Sequence, residues 1–348
     1  MVTKFNVVMT EPVRPTISIA LCTYNGETYL PTQWQSLLDQ HQYPDEVVIC
    51  DDRSTDGTPA LLRQLAADAP FPVRILENPV QLGYNKNFER ALSECTGDLI
   101  FICDQDDYWF PEKISTMTAY MTERPHLQLA FCDAWVTDDD LKGRQIRFWE
   151  CVNFDADVRQ RWNDGEIMEV MLDGNRVMGC ASVLRRSFLQ TVLPIPEAIP
   201  GYIYDGWLAL VGATDNTIAF VDSPLQLYRT HTQQQVGVQE QPPQAQVRVR
   251  DRFGRDRSKK LAPLQKKKDQ LDMIYQLLSS RVARNAPGLL QLRRRLGHFT
   301  MRSCLPQNRL ARLVPVLTGL SHGNYNRYAE AAANWYAPYL AAFGDLFE

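Results

Sequence analysis

From Pro15 to Asp133 the chain alternates short β-branched apolar runs with stretches of helical periodicity, the order expected of βαβ units on a mainly parallel sheet. The runs predict strands over Thr16–Leu21, Glu46–Cys50, Val73–Leu76, Leu99–Cys103 and Leu127–Cys132. Leu30, Trp34, Leu37 and Leu38 recur at helical spacing between the first two strands, and Leu61, Leu62, Leu65 and Ala66 do so between the second and third. A capping region, Ser54-Thr55-Asp56, precedes the second helix, and Pro70 and Pro72 close it. Beyond Asp133 the pattern loosens through Trp135–Asn175, then returns as an apolar run, Val177–Leu184, and a helix-like segment, Asp205–Val211. Residues 233–246, rich in Gln and Pro, read as a loop or linker. From Lys259 the signal is helical: Leu264, Leu271, Ile274 and Leu278, then 289–296, 310–317 and 328–347. The expected fold is α/β, a mainly parallel sheet flanked by helices with a C-terminal helical extension.

Composition changes this picture little. With 348 residues, 45% hydrophobic and 22% charged, the chain has an ordinary globular balance and room for a sizeable core. No secretory leader or membrane-spanning run is present, so a cytoplasmic location is expected. The eight cysteines lack a CxxC pair and fall mostly in strand-like runs, which favours buried free thiols over disulfides or zinc. Charge is uneven. Arg248–Arg312 holds 18 Lys or Arg against 4 Asp, while the whole chain nets −4.

Four polar clusters follow directly on predicted strands: Cys22–Gly26, Asp51–Ser54, Asn78–Lys86 and Asp104–Asp107. The carboxyl edge of an open parallel sheet is where such proteins bind ligands. Carboxylates at the end of the apolar strand Leu99–Cys103 repel one another unless a hard divalent cation, with phosphate oxygens completing its shell, sits among them. The plain alternative is a solvated acidic turn. Asp51-Asp52 admits two readings as well, an acceptor for a nucleobase or ribose hydroxyl, or an N-cap for the next helix.

Ser18–Gly26, Asp51–Thr58, Asn78 with Leu82-Gly83, Lys86-Asn87-Phe88 and Cys103–Trp109 closely resemble the family 2 glycosyltransferases of GT-A fold, most strongly their rhamnosyltransferase-like branch. The likeness runs in order from Pro15 to Gly237. It implies a GT-A domain over 1–240, with a donor half at about 15–133 and an acceptor half at about 134–240, followed by a basic helical region, 241–348. It also implies that Thr23, Tyr24 and Asp52 line the nucleotide pocket, with Asp104 on the ribose side and Asn25, Gly83, Lys86, Gln105 and Trp207 among the substrate-binding positions. Asp106 would hold Mg²⁺ or Mn²⁺ against the donor diphosphate. Arg53 stands where the family more often has Gly and bears on the turn after Asp52. Asp205, in Tyr204–Leu210, resembles the family's general base for an inverting transfer; read without the family, it is an ordinary N-cap. Tyr228-Arg229-Thr230-His231 looks like a segment in which His231 ligates the metal or meets the diphosphate and Arg229 adds positive charge, before a lid-like loop. Gly179 fits either close approach to an acceptor sugar or tight packing.

The expectation from these residues is an inverting, metal-dependent transfer, rhamnose being the first candidate sugar, from a TDP- or UDP-linked donor to a saccharide or polyprenyl-diphosphate-linked acceptor in bacterial surface polysaccharide synthesis. The competing classes are a nucleotidyltransferase, which would usually bring a Gly-rich basic loop after the first strand, and a non-catalytic nucleotide-sugar or glycan binding module. The basic C-terminal region suits an anionic membrane surface, which would make the protein peripheral at the inner face of the cytoplasmic membrane, or else a helical cap paired with the acidic domain. It carries no nucleic-acid recognition motif.

Overall fold

A computed structural model of the chain describes residues 14–142, 146–232, 234, 257–329 and 334–347. In chain order its elements are β1 (Ile17–Thr23), α1 (Leu30–Leu38), β2 (Glu46–Asp51), α2 (Thr58–Ala67), β3 (Val73–Glu77), α3 (Tyr84–Glu94), β4 (Leu99–Cys103), β5 (Tyr108–Trp109), α4 (Lys113–Glu123) and β6 (Leu129–Thr137). There follow β7 (Ile146–Arg147), α5 (Phe148–Cys151), α6 (Ala156–Asn163), α7 (Ile167–Asp173), β8 (Ser182–Arg185), α8 (Leu189–Val192), α9 (Tyr204–Thr214) and β9 (Ile218–Arg229). Five further helices complete the chain: α10 (Arg257–Ser279), α11 (Pro287–Ser303), α12 (Arg309–Ser321), α13 (Asn324–Arg327) and α14 (Ala337–Phe347).

The backbone groups into two compact units. One comprises the described residues through Asp133 with Gly179–Gln190 and Phe220–Tyr228; the other comprises 134–178, 191–219 and the described residues from Arg229 onward. The sheet runs in the order β3-β2-β1-β4-β8-β6-β9-β5, with β7 paired to β6. β3, β2, β1 and β4 are parallel, whereas β8 lies antiparallel between β4 and β6. β1 and β4 are buried at every residue, which explains their unbroken apolar runs: a parallel strand covered on both faces has no side to give to solvent. Leu30, Trp34 and Leu37 place one face of α1 in the core, and Phe88, Ala91 and Leu92 do the same for α3. All eight cysteines are free, six of them buried, as the strand positions predicted.

In the second unit α9 is buried along its whole length. α10 turns Leu271, Ile274 and Leu278 inward, the periodic positions of the sequence. Part of the basic region is structural here. Arg295 of α11, 5% exposed, pairs with Glu169 at 3.1 Å and Asp173 at 2.8 Å on α7. Arg281 donates to the carbonyls of Thr191, Leu193 and Pro194 and stacks over Trp207. Among the described residues no helix is long and apolar enough to cross a membrane.

Candidate active site

Register brings the clusters of the first unit to one edge. Thr23 pairs with Asp51 across β1 and β2, and Leu21 with Cys103 across β1 and β4, so the chain leaves three neighbouring strands at one level. The turns beyond are tied by hydrogen bonds, that between Thr23 and Asp51 buried and the others half-buried or exposed. Asp51 accepts from the Thr23 hydroxyl at 2.8 Å and from the Ser54 amide at 2.8 Å. Gln105 clamps the Tyr24 backbone, accepting from its amide at 2.9 Å and donating to its carbonyl at 3.0 Å. A Cβ on Gly26 would stand 2.1 Å from the Gln105 side-chain oxygen, so only glycine leaves space for that clamp. Asn25 takes the left-handed region at φ 47°, tolerable for Asn, and its side-chain oxygen accepts from the Thr55 amide at 2.8 Å. Tyr24 and Asn25 are therefore fixed through their backbones as well as their sequence.

Asp52 is 2% exposed and holds the loop that enters α3. Its carboxylate accepts from the Leu82 amide at 2.7 Å, the Gly83 amide at 2.9 Å and the Asn78 amide group at 2.8 Å. Four lone-pair sites on a carboxylate leave one for a ligand. Asp52 does not cap α2, whose N-cap is Gly57; its carboxylate instead holds Leu82 and Gly83, the two residues that lead into α3. Gly83 sits at φ 78° with open space where a Cβ would be, so any side chain there is strained by backbone conformation alone. Lys86, one turn on, pairs with Glu89 at 2.8 Å. Replacing Asp52 by Ala would strand three donors; we expect a loss of about 2–4 kcal/mol, read from the urea midpoint, since each unsatisfied buried group costs ~1–3 kcal/mol. A change too small to move the midpoint would mean that the loop finds other partners. Arg53 adopts φ 63°, the conformation that glycine takes freely and that costs an L-residue about 1–2 kcal/mol. The departure from the family pattern therefore keeps the backbone shape of the turn.

At the end of β4 the ligand atoms of Asp104, Asp107 and Cys180 all lie within 4.8 Å of one another. Asp106, the expected ligand, is half-buried beside this group and is not one of the three. Burial, reinforced by the charges of Asp107 and Asp104, pushes the Cys180 thiol well above its ordinary range, so the sulfur stays protonated and is a poor ligand for a hard ion. Two carboxylates remain, which fits Mg²⁺ or Mn²⁺: such ions take one or two protein carboxylates and complete their shells with water and phosphate.

Beneath the carboxylates runs a buried polar chain for which the sequence carries no motif. Lys113, fully buried on α4, donates from Nζ to the Cys180 carbonyl at 2.7 Å and to the side-chain oxygen of Gln226, and lies 3.6 Å from the centre of the Trp109 ring. Since an ammonium only donates, the Gln226 oxygen must face it, and the amide nitrogen then donates to Asp107 at 3.2 Å and to the Cys180 sulfur at 3.3 Å. Lys113 and Gln226 are 113 residues apart and look like unremarkable surface types in sequence. Only burial marks them.

In the second unit, Asp205 opens α9, 8% exposed, and accepts from the Asn175 side-chain amide at 3.0 Å. Nothing in the sequence pointed to Asn175. Trp207, expected at the substrate, is wholly buried with its indole N–H donated to the Val192 carbonyl at 2.9 Å, a packing position. Arg229 is 6% exposed and donates to the Asp139 carbonyl; His231 is half-buried, and neither it nor Arg229 belongs to the acidic group found among the described residues. Gly179 is buried in a short 3-10 turn. The expected lid over 233–246 lies outside the described residues apart from Gln234.

Sheet order, tied strand-end turns and a carboxylate pair are the marks of a nucleotide-sugar transferase domain, and the family model for glycosyl transferase family 2 matches residues 18–193, half of the chain. The chain belongs to that family. It is similar to the uncharacterized protein Rv1520 of Mycobacterium tuberculosis, 27% identical over 219 residues that make up 62% of this chain and 59% of that protein. It is also similar to the dTDP-rhamnosyl transferase RfbG of Shigella flexneri, 33% identical over 98 residues, 27% of this chain and 34% of RfbG. The fold is that of S. aureus TarS 1–349 solved in complex with UDP-GlcNAc, with TM-score 0.51 and 15% identity, covering 95% of this chain and 90% of that one. It is a GT-A type fold, as the motif order implied.

Proposed function

We propose that this chain moves a sugar from a nucleoside-diphosphate sugar to a hydroxyl of a saccharide or polyprenyl-linked glycan, with inversion at the anomeric carbon, in bacterial surface polysaccharide synthesis. The observation that carries the proposal is the convergence of Asp104 and Asp107 at the end of β4, beside the tied turns that end β1 and β2. In this reading Tyr24 and Asp52 meet the nucleotide and Asp106 the diphosphate, while Asp104, set on the ribose side by the resemblance, also becomes a candidate for the metal because it lies within 4.8 Å of Asp107. A bound Mg²⁺ or Mn²⁺ would be held by Asp104 with Asp106 or Asp107, and would neutralise charge that grows on the leaving diphosphate. Asp205, by its likeness to the family's acidic motif, takes the proton of the acceptor hydroxyl, and Asn175 keeps the carboxylate oriented. Arg229 and His231 add donors for the diphosphate. Rhamnose on a thymidine nucleotide is the first candidate donor, supported by the motif likeness and by the similarity to RfbG.

The test is thermal unfolding with UDP, TDP and GDP, each with Mn²⁺, Mg²⁺ or EDTA. One diphosphate should raise the midpoint only when metal is present, since a ligand at 100 times its Kd adds about 2.7 kcal/mol to the folded state. No response from folded protein would turn the reading towards a glycan-binding module. A response to nucleoside triphosphates alone would favour nucleotidyl transfer.

A further inference from the structure

The last three helices, α12, α13 and α14, close on a small core of their own, formed by Leu305, Val316, Tyr325 and Ala342. A buried carboxylate ties it together: Asp345 accepts from Arg302 at 2.7 Å and from the Tyr325 hydroxyl at 2.7 Å, while Arg312 donates to the Asp345 carbonyl. With inner faces satisfied in this way, the outer faces should be polar. They are apolar. On α12, Leu310 and Val314 are 75% and 74% exposed, and Leu313 and Leu317 complete the i, i+3, i+4, i+7 stripe. On α14, Tyr339, Phe343 and Phe347 form a second exposed stripe at i, i+4, i+8, and Trp335, 82% exposed, stands just before the helix.

Large apolar side chains exposed in two stripes of one small bundle exceed what a freely soluble surface normally carries. The exposed charges on the described residues of these helices have one sign. Among the described residues of α11–α14 the only acidic side chain is Asp345, already buried, whereas Arg293, Arg294, Arg309 and Arg327 are exposed. Two copies meeting through this face would bring like charges together. A bilayer with anionic headgroups meets both demands, with hydrocarbon for the leucines and phenylalanines, the interfacial layer for Trp335 and Tyr339, and phosphate for the arginines.

We propose that the exposed faces of α12 and α14 seat the protein on an anionic lipid surface. This narrows the expectation from the sequence, which gave the whole basic region 241–348 to the membrane surface. Residues 248–256 and the side chains of 257–260 lie outside those described, and the described Lys267 and Lys268 are engaged with the Leu172 carbonyl and Asp269. The inference needs nothing from the sugar-transfer reading.

Co-sedimentation of the full chain with phosphatidylcholine vesicles, with and without phosphatidylglycerol, tests it. The protein should pellet with the anionic vesicles, less so in high salt, and only weakly with phosphatidylcholine alone. The double variant L310E/V314E, altered at exposed positions, should lose at least about 10-fold in partition, because each buried aliphatic side chain adds more than the roughly 1.4 kcal/mol that corresponds to a factor of ten. Trp335→Ser should lower partition independently. In both variants the diphosphate-dependent thermal shift should match that of the parent chain, which separates this result from the fate of the donor site. Vesicle binding unchanged in the variants, or no binding at any salt, overturns the proposal. So do concentration-dependent dimers that the same variants convert to monomers, an outcome that would assign the face to a second copy.

Discussion

Asp205→Asn is expected to lower turnover by about 10² to 10⁴, the usual worth of a general base, with donor affinity nearly unchanged. The substitution keeps shape and volume at a position that is 8% exposed, at the head of a helix buried throughout, so the fold should persist. On the proposed role of Asp205, it removes a lone pair basic enough to take the acceptor proton. The Asn175 amide, which donates to the present carboxylate at 3.0 Å, can donate equally to an amide oxygen, so the geometry of the pair survives while its basicity does not. Initial rates at saturating donor, set beside calorimetric donor binding, separate the two quantities. A variant that turned over at the parent rate would move the base elsewhere; one that lost donor binding and turnover together would make Asp205 a donor contact.

The second large effect is expected at the end of β4. Asp104→Asn should weaken metal-dependent diphosphate binding by at least about 10²-fold, a loss greater than the 10–100-fold typical of groups that merely orient a ligand. Asp106→Ala should do the same if the resemblance assigns the metal correctly. Asp107→Asn carries a further consequence, because its carboxylate is fully buried and accepts from Gln226. The Asp107 variant should lose folding stability along with metal affinity. Mn²⁺ titrations in the presence of the nucleoside diphosphate read these effects directly. A variant with the parent's metal affinity would strike that carboxylate from the ligand set. The comparison of Asp106 with Asp107 decides between the residue the motif indicates and the residue whose oxygen lies within 4.8 Å of the Asp104 carboxylate.

The buried cation beneath this edge gives the arrangement its rigidity. Lys113 alone would be costly in a dry interior, but its ammonium has two oxygen acceptors and the face of Trp109, and the facing carboxylates supply opposite charge. Burial lowers its pKa while Asp107 and the neighbouring cysteines act in the opposite sense. Through Gln226 the same ammonium fixes which way the amide points, and thereby where Asp107 finds its donor.

Sequence by itself determined the four parallel strands, the start of β6 and about half of the helices, because each of these depends on the period of its own apolar positions: β4 was legible to the residue and α9 to within a few, whereas β9 and the helices α3 to α8 were not read from it. It also singled out the turns proposed to carry chemistry, since Cys22–Gly26, Asp51–Ser54 and Asp104–Asp107 follow strands immediately. It did not determine partners distant along the chain. That β8 enters the sheet antiparallel, read in sequence only as an apolar run, is decided by pairing with β4 and β6. That Asp52 holds the loop leading into α3, that Lys113 and Gln226 lie under Asp107, and that Trp207, expected at the substrate, is wholly buried with its indole bonded to Val192 follow from the folded structure. The same holds for the apolar stripes of α12 and α14. Helical periodicity shows that a face is apolar, but only the packed structure shows which face the core already covers and which is left to solvent. Local pattern is a property of neighbours in the chain; burial, hydrogen-bond partners and exposed faces belong to residues that meet only when the chain is folded.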